Sequence, residues 1–233
     1  PCACADYRLL SGHRYLSPGF VLPYSAARGC WWRRCAFCPE KAEDNPYRPE
    51  PTKKVVADLQ NLTASGRPSL IHLLVSSLAP ALLSALIDHP PGAPWYGFAR
   101  VTEHLTDEDF CRGLKKSGCV MLKLGLESGD QRVLDALNKG IDLSTVSAAL
   151  RTLRKAGIAV YGYFLFGTPP EDEAAALKTL DFIVNHSDCL NFLNLAIFNL
   201  PRNSIEAQSL DVSDFNEGDL SLYQDFRHPA GWQ

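Results

Sequence analysis

The chain has 233 residues, of which 46% are hydrophobic and 21% are charged, values that are ordinary for one globular domain with a sizeable core. Its formal net charge of -3 provides no overall positive field to attract a nucleic acid. Because no apolar run approaches the roughly 20 residues of a membrane-spanning helix and no signal peptide is evident, we expect a soluble, cytoplasmic protein with no membrane partner.

Turn-rich residues 1–19 form a lead-in to the first predicted strand, 20–24, and to a loop that contains three cysteines. Cys30, Cys35 and Cys38 are separated by four and then by two residues. Closely spaced thiolates suit a soft metal centre, either zinc or an iron–sulfur cluster. A closed zinc site takes four ligands, and the chain has no second Cys-x-x-Cys or His-x-x-x-His pair. Three thiolates on a four-iron cluster would leave one iron open to a ligand that is not protein.

Beyond residue 51, segments with an apolar face at helical spacing alternate with short apolar runs. The runs that we predict to be strands are 20–24, 70–75, 95–101, 120–126, 158–166 and 190–200. Such alternation predicts a parallel sheet with right-handed helical crossovers. Six units are too few for a closed eight-fold barrel. We therefore predict an α/β fold in which residues 20–200 form a partial (β/α)6 barrel of parallel strands, followed by an irregular C-terminal extension at 201–233.

Polar residues stand out at the ends of these predicted strands. After the cysteine loop, which follows the first strand, they are Ser76 and Ser77, Glu103 and His104, Glu127 and Ser128, and Gly167 and Thr168. In parallel α/β barrels the chemistry gathers at the C-terminal ends of the strands. We therefore expect these positions to share one rim of the barrel.

Three segments, in this order, resemble the radical S-adenosylmethionine (SAM) superfamily. The first is the cysteine loop with Phe37 before its last cysteine, although four residues between the first two cysteines depart from the family's common three. The others are 125–129 (GLESG) with 138–140 (NKG), and 163–171 (YFLFGTPPE). The resemblance covers most of the chain and implies a radical SAM enzyme. Cys30, Cys35 and Cys38 would hold a [4Fe-4S] cluster whose open iron binds SAM, and reductive cleavage of SAM would start radical chemistry on a substrate.

The resemblance also implies which residues approach SAM. Phe37, Phe166 and Gly167 would lie near the adenine, and Glu127 and Ser128 would lie near the ribose and the methionine end. A core aromatic is the structural alternative for Phe37. For Glu127, which needs a partner because it ends an apolar strand, the structural alternative is a salt bridge.

Ser76 and Ser77 stand where members of the family often carry a Gly-Gly-Glu-like segment that holds the methionine amino group, and we expect their hydroxyls to substitute for it. Arg100 is the one charge in the third predicted strand, and a guanidinium binds a carboxylate bidentately. We predict that Arg100 meets SAM or the substrate, with an acidic neighbour as the alternative. Lys123 is a weaker candidate for the same role. Lys139 is expected to complement the dipole of the helix that it ends.

Two other functions stay open on the sequence. Residues 15–23 with Arg28, Gly29 and Cys30 resemble the subgroup of the family that carries a cobalamin-binding domain upstream. A cobalamin-dependent radical SAM methyltransferase is therefore the enzymatic alternative. The other is a non-catalytic module in which the loop holds structural zinc or an iron–sulfur cluster. The partners implied for an enzyme are a one-electron donor such as flavodoxin or ferredoxin, and a small-molecule or peptide substrate.

Overall fold

A six-stranded parallel sheet forms the body of the protein. The computed structural model describes residues 6–7, 16–214 and 222–231, so most of the predicted lead-in, with Cys2 and Cys4, lies outside the described residues. Each strand pairs with its neighbours in chain order. The strands are β1 (Val21–Tyr24), β2 (Leu70–Leu78), β3 (Trp95–Ala99), β4 (Cys119–Glu127), β5 (Ala159–Phe166) and β6 (Phe192–Ile197). All six predicted strands and the predicted partial barrel are confirmed.

Helices connect the consecutive strands. They are α1 (Pro39–Ala42), α2 (Thr52–Gly66), α3 (Pro80–Asp88), α4 (Glu108–Lys116), α5 (Gln131–Ala136), α6 (Leu143–Ala156) and α7 (Glu173–Asn185). The last four begin after an aspartate whose side chain accepts a hydrogen bond from a backbone N–H of the first turn: Asp107, Asp130, Asp142 and Asp172. In the described parts of the chain, no helix is long and apolar enough to cross a membrane.

The two faces of the sheet differ in burial because successive side chains of a strand point to opposite faces. In β2, Ile71 and Leu73 are fully buried and join the core formed with the helices, whereas His72 and Leu74 are partly or largely exposed. The same alternation continues in β3, where Trp95 is buried and donates from Nε1 to the carbonyl of Ser117 at 3.2 Å. The exposed positions form the inner face of the partial barrel.

Two strands extend further than predicted. β2 continues to Leu78, so Ser76 and Ser77 lie inside the strand rather than after it. β4 ends on Glu127, and its register with β5 shifts between Gly125 and Glu127. Both extensions bring polar side chains to the rim as parts of the sheet, where backbone hydrogen bonds fix their positions.

The C-terminal extension differs from the prediction. Instead of being irregular, it contributes to a small antiparallel sheet formed by Leu200–Pro201, Val212–Asp214 and Tyr223–Phe226. These strands are only two to four residues long, and their pairing partners are not adjacent in sequence, so no local pattern marked them. The extension is joined to the barrel where His228 Nε2 lies 2.9 Å from the carbonyl oxygen of Thr168, just after β5.

Candidate active site

The three cysteines of the loop that follows β1 are all free thiols. Cys35 is buried, and Cys30 and Cys38 are half-buried. The loop begins at Gly29, which has a φ of +71° and no room for a side chain, because a Cβ there would lie 2.7 Å from the carbonyl oxygen of Pro46. The loop therefore turns sharply off the end of the strand and passes across the rim.

A turn at residues 137–140, which we call the clamp turn, holds the cysteine loop. The N–H of Ala36 donates to the carbonyl of Leu137 at 2.9 Å, and Trp32 Nε1 donates to the carbonyl of Asn138 at 3.2 Å. Asn138 has a φ of +50°, so the backbone of the turn is left-handed there. The NKG segment that marked the family resemblance thus serves to fix the loop in place.

Arg100 joins the two segments. Its guanidinium carbon lies 3.8 Å from the centre of the Trp32 ring, and it donates to the carbonyls of Lys139 and Gly140. A side chain on Gly140 would lie 2.3 Å from the same tryptophan, so only glycine allows this approach. Arg100 is 8% exposed. Its hydrogen bonds to carbonyls, rather than to a carboxylate, were not foreseen from the sequence.

Glu127 and Lys139 form a buried ion pair. Lys139 Nζ lies 2.6 Å from Glu127 Oε1, and the two side chains are 10% and 11% exposed, respectively. Gly125 makes room for the pair, because a Cβ there would lie 2.5 Å from the glutamate oxygen and 2.9 Å from the lysine nitrogen. The salt bridge considered for Glu127 is therefore present, and the contact with SAM stays a prediction. The dipole role expected for Lys139 is wrong, because its side chain turns back to the end of β4.

Glu127 is itself in an uncommon backbone conformation. Its φ of +63° falls in the left-handed region, which non-glycine residues seldom adopt, and it coincides with the register shift between β4 and β5. The bulge directs the carboxylate toward Lys139 and the cysteine loop. Backbone strain of this kind persists where surrounding contacts impose it, and here the ion pair is one of them.

Burial and nearby charges act in opposite directions on the thiols of the cysteine loop. Burial raises the pKa of Cys35, and the nearby charges of Lys139 and Arg100 act in the opposite direction. Burial also raises the pKa of Cys38, and hydrogen bonds from the backbone N–H groups of Glu40 and Lys41 oppose that shift. Arg100 and Lys139 therefore offset part of the cost of a negative charge on Cys35, although Lys139 is also paired with Glu127.

The donor set also bears on the kind of metal centre. Among the described residues, no three His, Cys, Asp or Glu side chains are arranged to hold a single metal ion. The electrostatic neighbours of Cys38 include Cys30, and those of Cys35 include Cys38, so the three thiols lie near one another. In an iron–sulfur cluster the thiolates bind different irons. The three neighbouring thiols are thus ligands of the chemical type that such a cluster takes.

Two of the predicted SAM-binding residues have structural partners. Phe37 packs against Val133, Leu137 and Ala175, with Lys139 Nζ 5.6 Å from its ring centre. The Phe37 ring therefore anchors the cysteine loop to the clamp turn. This packing is the core position that the sequence analysis gave as the structural alternative for Phe37.

Ser128, the second of these residues, is fully buried. Its hydroxyl lies 3.1 Å from Thr179 Oγ1 and accepts a hydrogen bond from the N–H of Asp130. These contacts fix the start of α5, so the hydroxyl points into the protein rather than toward the rim.

The two serines of β2 lie in different surroundings. Ser77 is buried and accepts a hydrogen bond from Trp31 Nε1 at 3.0 Å, which ties it to the cysteine loop. Ser76 is exposed and donates to Glu40 Oε1 at 3.2 Å. Ser76 lines a cleft of about 700 Å³ that also contains Cys38, whereas Ser77 lines a separate cavity of about 420 Å³ that contains none of the three cysteines, so Ser76 is the serine that shares a space with the cysteine loop.

Phe166 and Gly167 end β5 beside a buried carboxylate that the sequence analysis did not single out. Gly167 has a φ of +74°, and its N–H donates to Glu171 Oε2 at 2.5 Å. Glu171 is 1% exposed, and burial raises its pKa. Its Oε1 has no hydrogen-bond partner among the described residues. The sequence signal that could have identified Glu171 is an acidic residue shortly after the end of an apolar strand, three positions beyond Thr168.

The fold and the rim define a class of protein, the parallel α/β barrels whose chemistry lies at the carboxyl ends of the strands. Within that class, the family model of the radical SAM superfamily matches residues 24–183. The chain belongs to the radical SAM superfamily, whose members are enzymes. The cofactors of this family are a [4Fe-4S] cluster and SAM.

Curated relatives include a cyclase and a methyltransferase. The anaerobic magnesium-protoporphyrin IX monomethyl ester cyclase of Cereibacter sphaeroides is 26% identical over 163 residues, covering 66% of this chain and 26% of that protein. The bacteriochlorophyllide d C-12(1)-methyltransferase of Chlorobaculum tepidum is 36% identical over 72 residues, covering 30% of this chain and 16% of that protein. The chain thus spans well under half the length of these relatives.

Solved structures share the fold. The radical SAM methyltransferase TsrM of Kitasatospora setae, with tryptophan and aza-SAM bound, has a TM-score of 0.70 at 20% identity, covering 87% of this chain and 42% of that one. The cobalamin-dependent radical SAM enzyme OxsB, with aqua-cobalamin bound, has a TM-score of 0.70 at 15% identity, covering 89% and 39%. Cobalamin-associated members of the family are therefore among the structural neighbours.

Proposed function

We propose that this chain is the core of a radical SAM enzyme in which Cys30, Cys35 and Cys38 hold a [4Fe-4S] cluster and SAM binds beside it. The observation that carries the proposal is a loop of free thiols fixed against two buried cations, Arg100 and Lys139, in a chain of this family. When bound, the cluster supplies one electron for the cleavage of SAM. We propose a flavodoxin or ferredoxin as the source of that electron, and a small-molecule or peptide substrate.

The residues around the loop supply rigidity and charge. The hydrogen bonds of Ala36 and Trp32 to the clamp turn hold the loop in one conformation, so the thiols are oriented before a cluster binds. Arg100 and Lys139 stabilise the thiolate form of Cys35 against the cost of burial. The ring of Trp32 covers Arg100 and limits the access of water to this side of the loop.

Glu127 and Ser76 are the proposed contacts of SAM. Lys139 orients the Glu127 carboxylate at the end of β4, where it would accept hydrogen bonds from the hydroxyls of SAM. Ser76 would meet the methionine end, because it shares a cleft with Cys38. Ser128 is proposed to act as a positioning residue, since its hydroxyl is already bound inside the protein.

Anaerobic reconstitution with iron and sulfide tests the proposal. We expect about four irons per chain, visible charge-transfer absorbance, and formation of 5′-deoxyadenosine from SAM under reducing conditions. Cys35→Ala is expected to lose all three properties. Cys189→Ala is the matched control, because Cys189 is a buried free cysteine outside the loop, and it is expected to keep them. Colourless protein with one zinc per chain would refute the proposal and favour the non-catalytic module.

A cobalamin-dependent methyltransferase is the second candidate function. It is favoured by the methyltransferase among the curated relatives and by the structural likeness to TsrM and OxsB, whose structures hold cobalamin. Those proteins are longer than this chain, so the proposal concerns the whole protein. We expect the full-length protein, produced with cobalamin, to retain it in a one-to-one ratio through gel filtration. Protein that retains a cluster but no cobalamin would leave the first proposal standing and refute the second.

A further inference from the structure

Aromatic rings cover the inner face of the barrel. They are His72 on β2, Tyr96 and Phe98 on β3, Tyr161 and Tyr163 on β5, and Phe192 on β6. His72 stacks on Tyr96 with the ring centres 4.3 Å apart and the planes 11° from parallel. Tyr163 lies 4.7 Å from Phe98 and 4.8 Å from Tyr161. The rings thus lie on four of the six strands, β2, β3, β5 and β6, and form a surface that is interrupted at β4.

Lys123 fills that interruption. In the register of the sheet, Lys123 lies opposite Phe98 of β3 and opposite Tyr161 of β5. Tyr161 in turn lies opposite Phe192 of β6. Its Nζ lies 5.2 Å from the ring centre of Phe98 and equally far from that of Tyr96. A cation over two rings gains from their negative faces, but the rings do not neutralise its charge.

The charge of Lys123 is not matched within the sheet. It is the only Lys or Arg in the six strands, and the only carboxylate there, Glu127, is paired with Lys139. Burial lowers the pKa of Lys123, and burial together with Lys123 lowers that of His72. A second positive charge at His72 is therefore disfavoured, and Lys123 is the single cation of the aromatic surface.

A shared cleft connects this surface to the cysteine loop. The cleft of about 700 Å³ is lined by Lys123, Phe98 and His72 of the sheet and by Cys38, and its other charged residues are Arg28 and Glu40. A ligand that lies on the rings and reaches the ammonium group is therefore in the same space as a thiol of the proposed cluster. This is the position that a substrate of radical chemistry would occupy.

We propose that the inner face binds a flat, conjugated substrate that carries a carboxylate, with its plane on the rings and its carboxylate on Lys123. That the ligand is a substrate, rather than some other bound molecule, rests on the proposed function. Ring stacking favours planar conjugated molecules, and a partly buried ammonium group favours an anion over a neutral group. An aliphatic carboxylate would gain only the attraction of the ammonium group, and a neutral aromatic molecule would gain only the ring stacking.

The methionine carboxylate of SAM is the other possible source of an anion at Lys123. The two sources differ in what a variant changes. If the substrate supplies the carboxylate, loss of Lys123 weakens binding of aromatic carboxylates and leaves the affinity for SAM unchanged. If SAM supplies it, the affinity for SAM falls.

Binding of pyrene-1-carboxylate, followed by fluorescence anisotropy under anaerobic conditions, tests the proposal. Pyrene-1-methanol is the neutral probe of the same shape, and decanoate is the competitor that has a carboxylate without a ring. We expect Lys123→Met to weaken binding of pyrene-1-carboxylate about tenfold or more and that of pyrene-1-methanol less than about twofold. Lys116→Met, an exposed lysine on α4, is the matched control and should change neither. Phe98→Leu should weaken both pyrene probes similarly, and decanoate should compete poorly.

Three results would overturn the proposal. They are equal binding by Lys123→Met and Lys116→Met, equal loss for the charged and neutral probes, and a selective loss of SAM affinity in Lys123→Met. Circular dichroism verifies that the variants are folded. The formation of 5′-deoxyadenosine by the wild-type protein is measured in parallel, and its absence would refute the proposed function, whereas the probe measurements decide the anion site with or without a cluster.

Discussion

Removing the positive charge of Lys139 should destabilise the protein strongly. Lys139→Met keeps most of the length of the side chain but removes the nitrogen that lies 2.6 Å from the Glu127 carboxylate. The carboxylate then stays, without its partner, at a site where both side chains are only about a tenth exposed. Breaking a buried pair from one side typically costs about 3–5 kcal/mol. Because some water reaches this pair, we expect a loss of about 3 kcal/mol in the free energy of unfolding.

Urea denaturation of the single and double variants measures this loss. Glu127→Gln combined with Lys139→Met removes both charges, and we expect it to recover most of the lost stability, because the uncompensated carboxylate is then absent. Lys155→Met is the matched control. It breaks a 2.9 Å pair with Glu108 whose side chains are 69% and 52% exposed, and water screens such a pair, so the stability should hardly change.

Two results would refute the reasoning. One is a loss in Lys139→Met no larger than that in Lys155→Met. The other is a double variant as unstable as Lys139→Met. Either would show that the Glu127 carboxylate is solvated or finds another partner, and that the ion pair does not hold the end of β4 in place.

Three further predictions concern other parts of the site. Gly140→Ala should cost at least about 1 kcal/mol and lower the iron content after reconstitution, because φ is +64° and the new methyl would meet Trp32. Burial raises the pKa of Glu171, so the folded state disfavours its ionised form. Glu171→Gln should therefore stabilise the protein at pH 8, and this gain in stability should shrink as the pH falls through the pKa of Glu171 in the folded state. With no cluster bound, iodoacetamide at pH 8 should modify Cys38 before Cys111, whose thiol is buried and has a pKa raised to about 11.

Each of these has a control and a contrary result. Gly157→Ala has a similar φ of +72° but its Cβ would lie 3.7 Å from the nearest atom, so an equal loss there would refute the clash at the clamp turn. Glu173→Gln, an exposed position, should show no pH-dependent gain, and a gain at Glu171 that grows toward acid pH would contradict the sign given above. Mass spectrometry that finds Cys111 modified first would show that the core opens before the loop reacts.

The barrel could be predicted because its signals are local. Each strand is a short apolar run, each helix has an apolar face, and the order of elements permits few topologies. The antiparallel sheet of the extension could not be predicted, since Tyr223–Phe226 pairs with Leu200–Pro201 and is only partly apolar. Pairing between such short segments, separated along the chain, leaves no trace in a local pattern.

The sequence by itself determined the family, the order of strands and helices, and the three thiols as candidate ligands, because these follow from residue types at fixed spacing. Only the tertiary structure decided the partners of the charged residues. Arg100 binds carbonyls of the clamp turn and Lys139 binds Glu127, choices that depend on which segments meet at the rim. The position of Lys123 among the rings likewise follows from the register of β3, β4 and β5. A side chain's charge is a property of its residue, but its partner is a property of the fold.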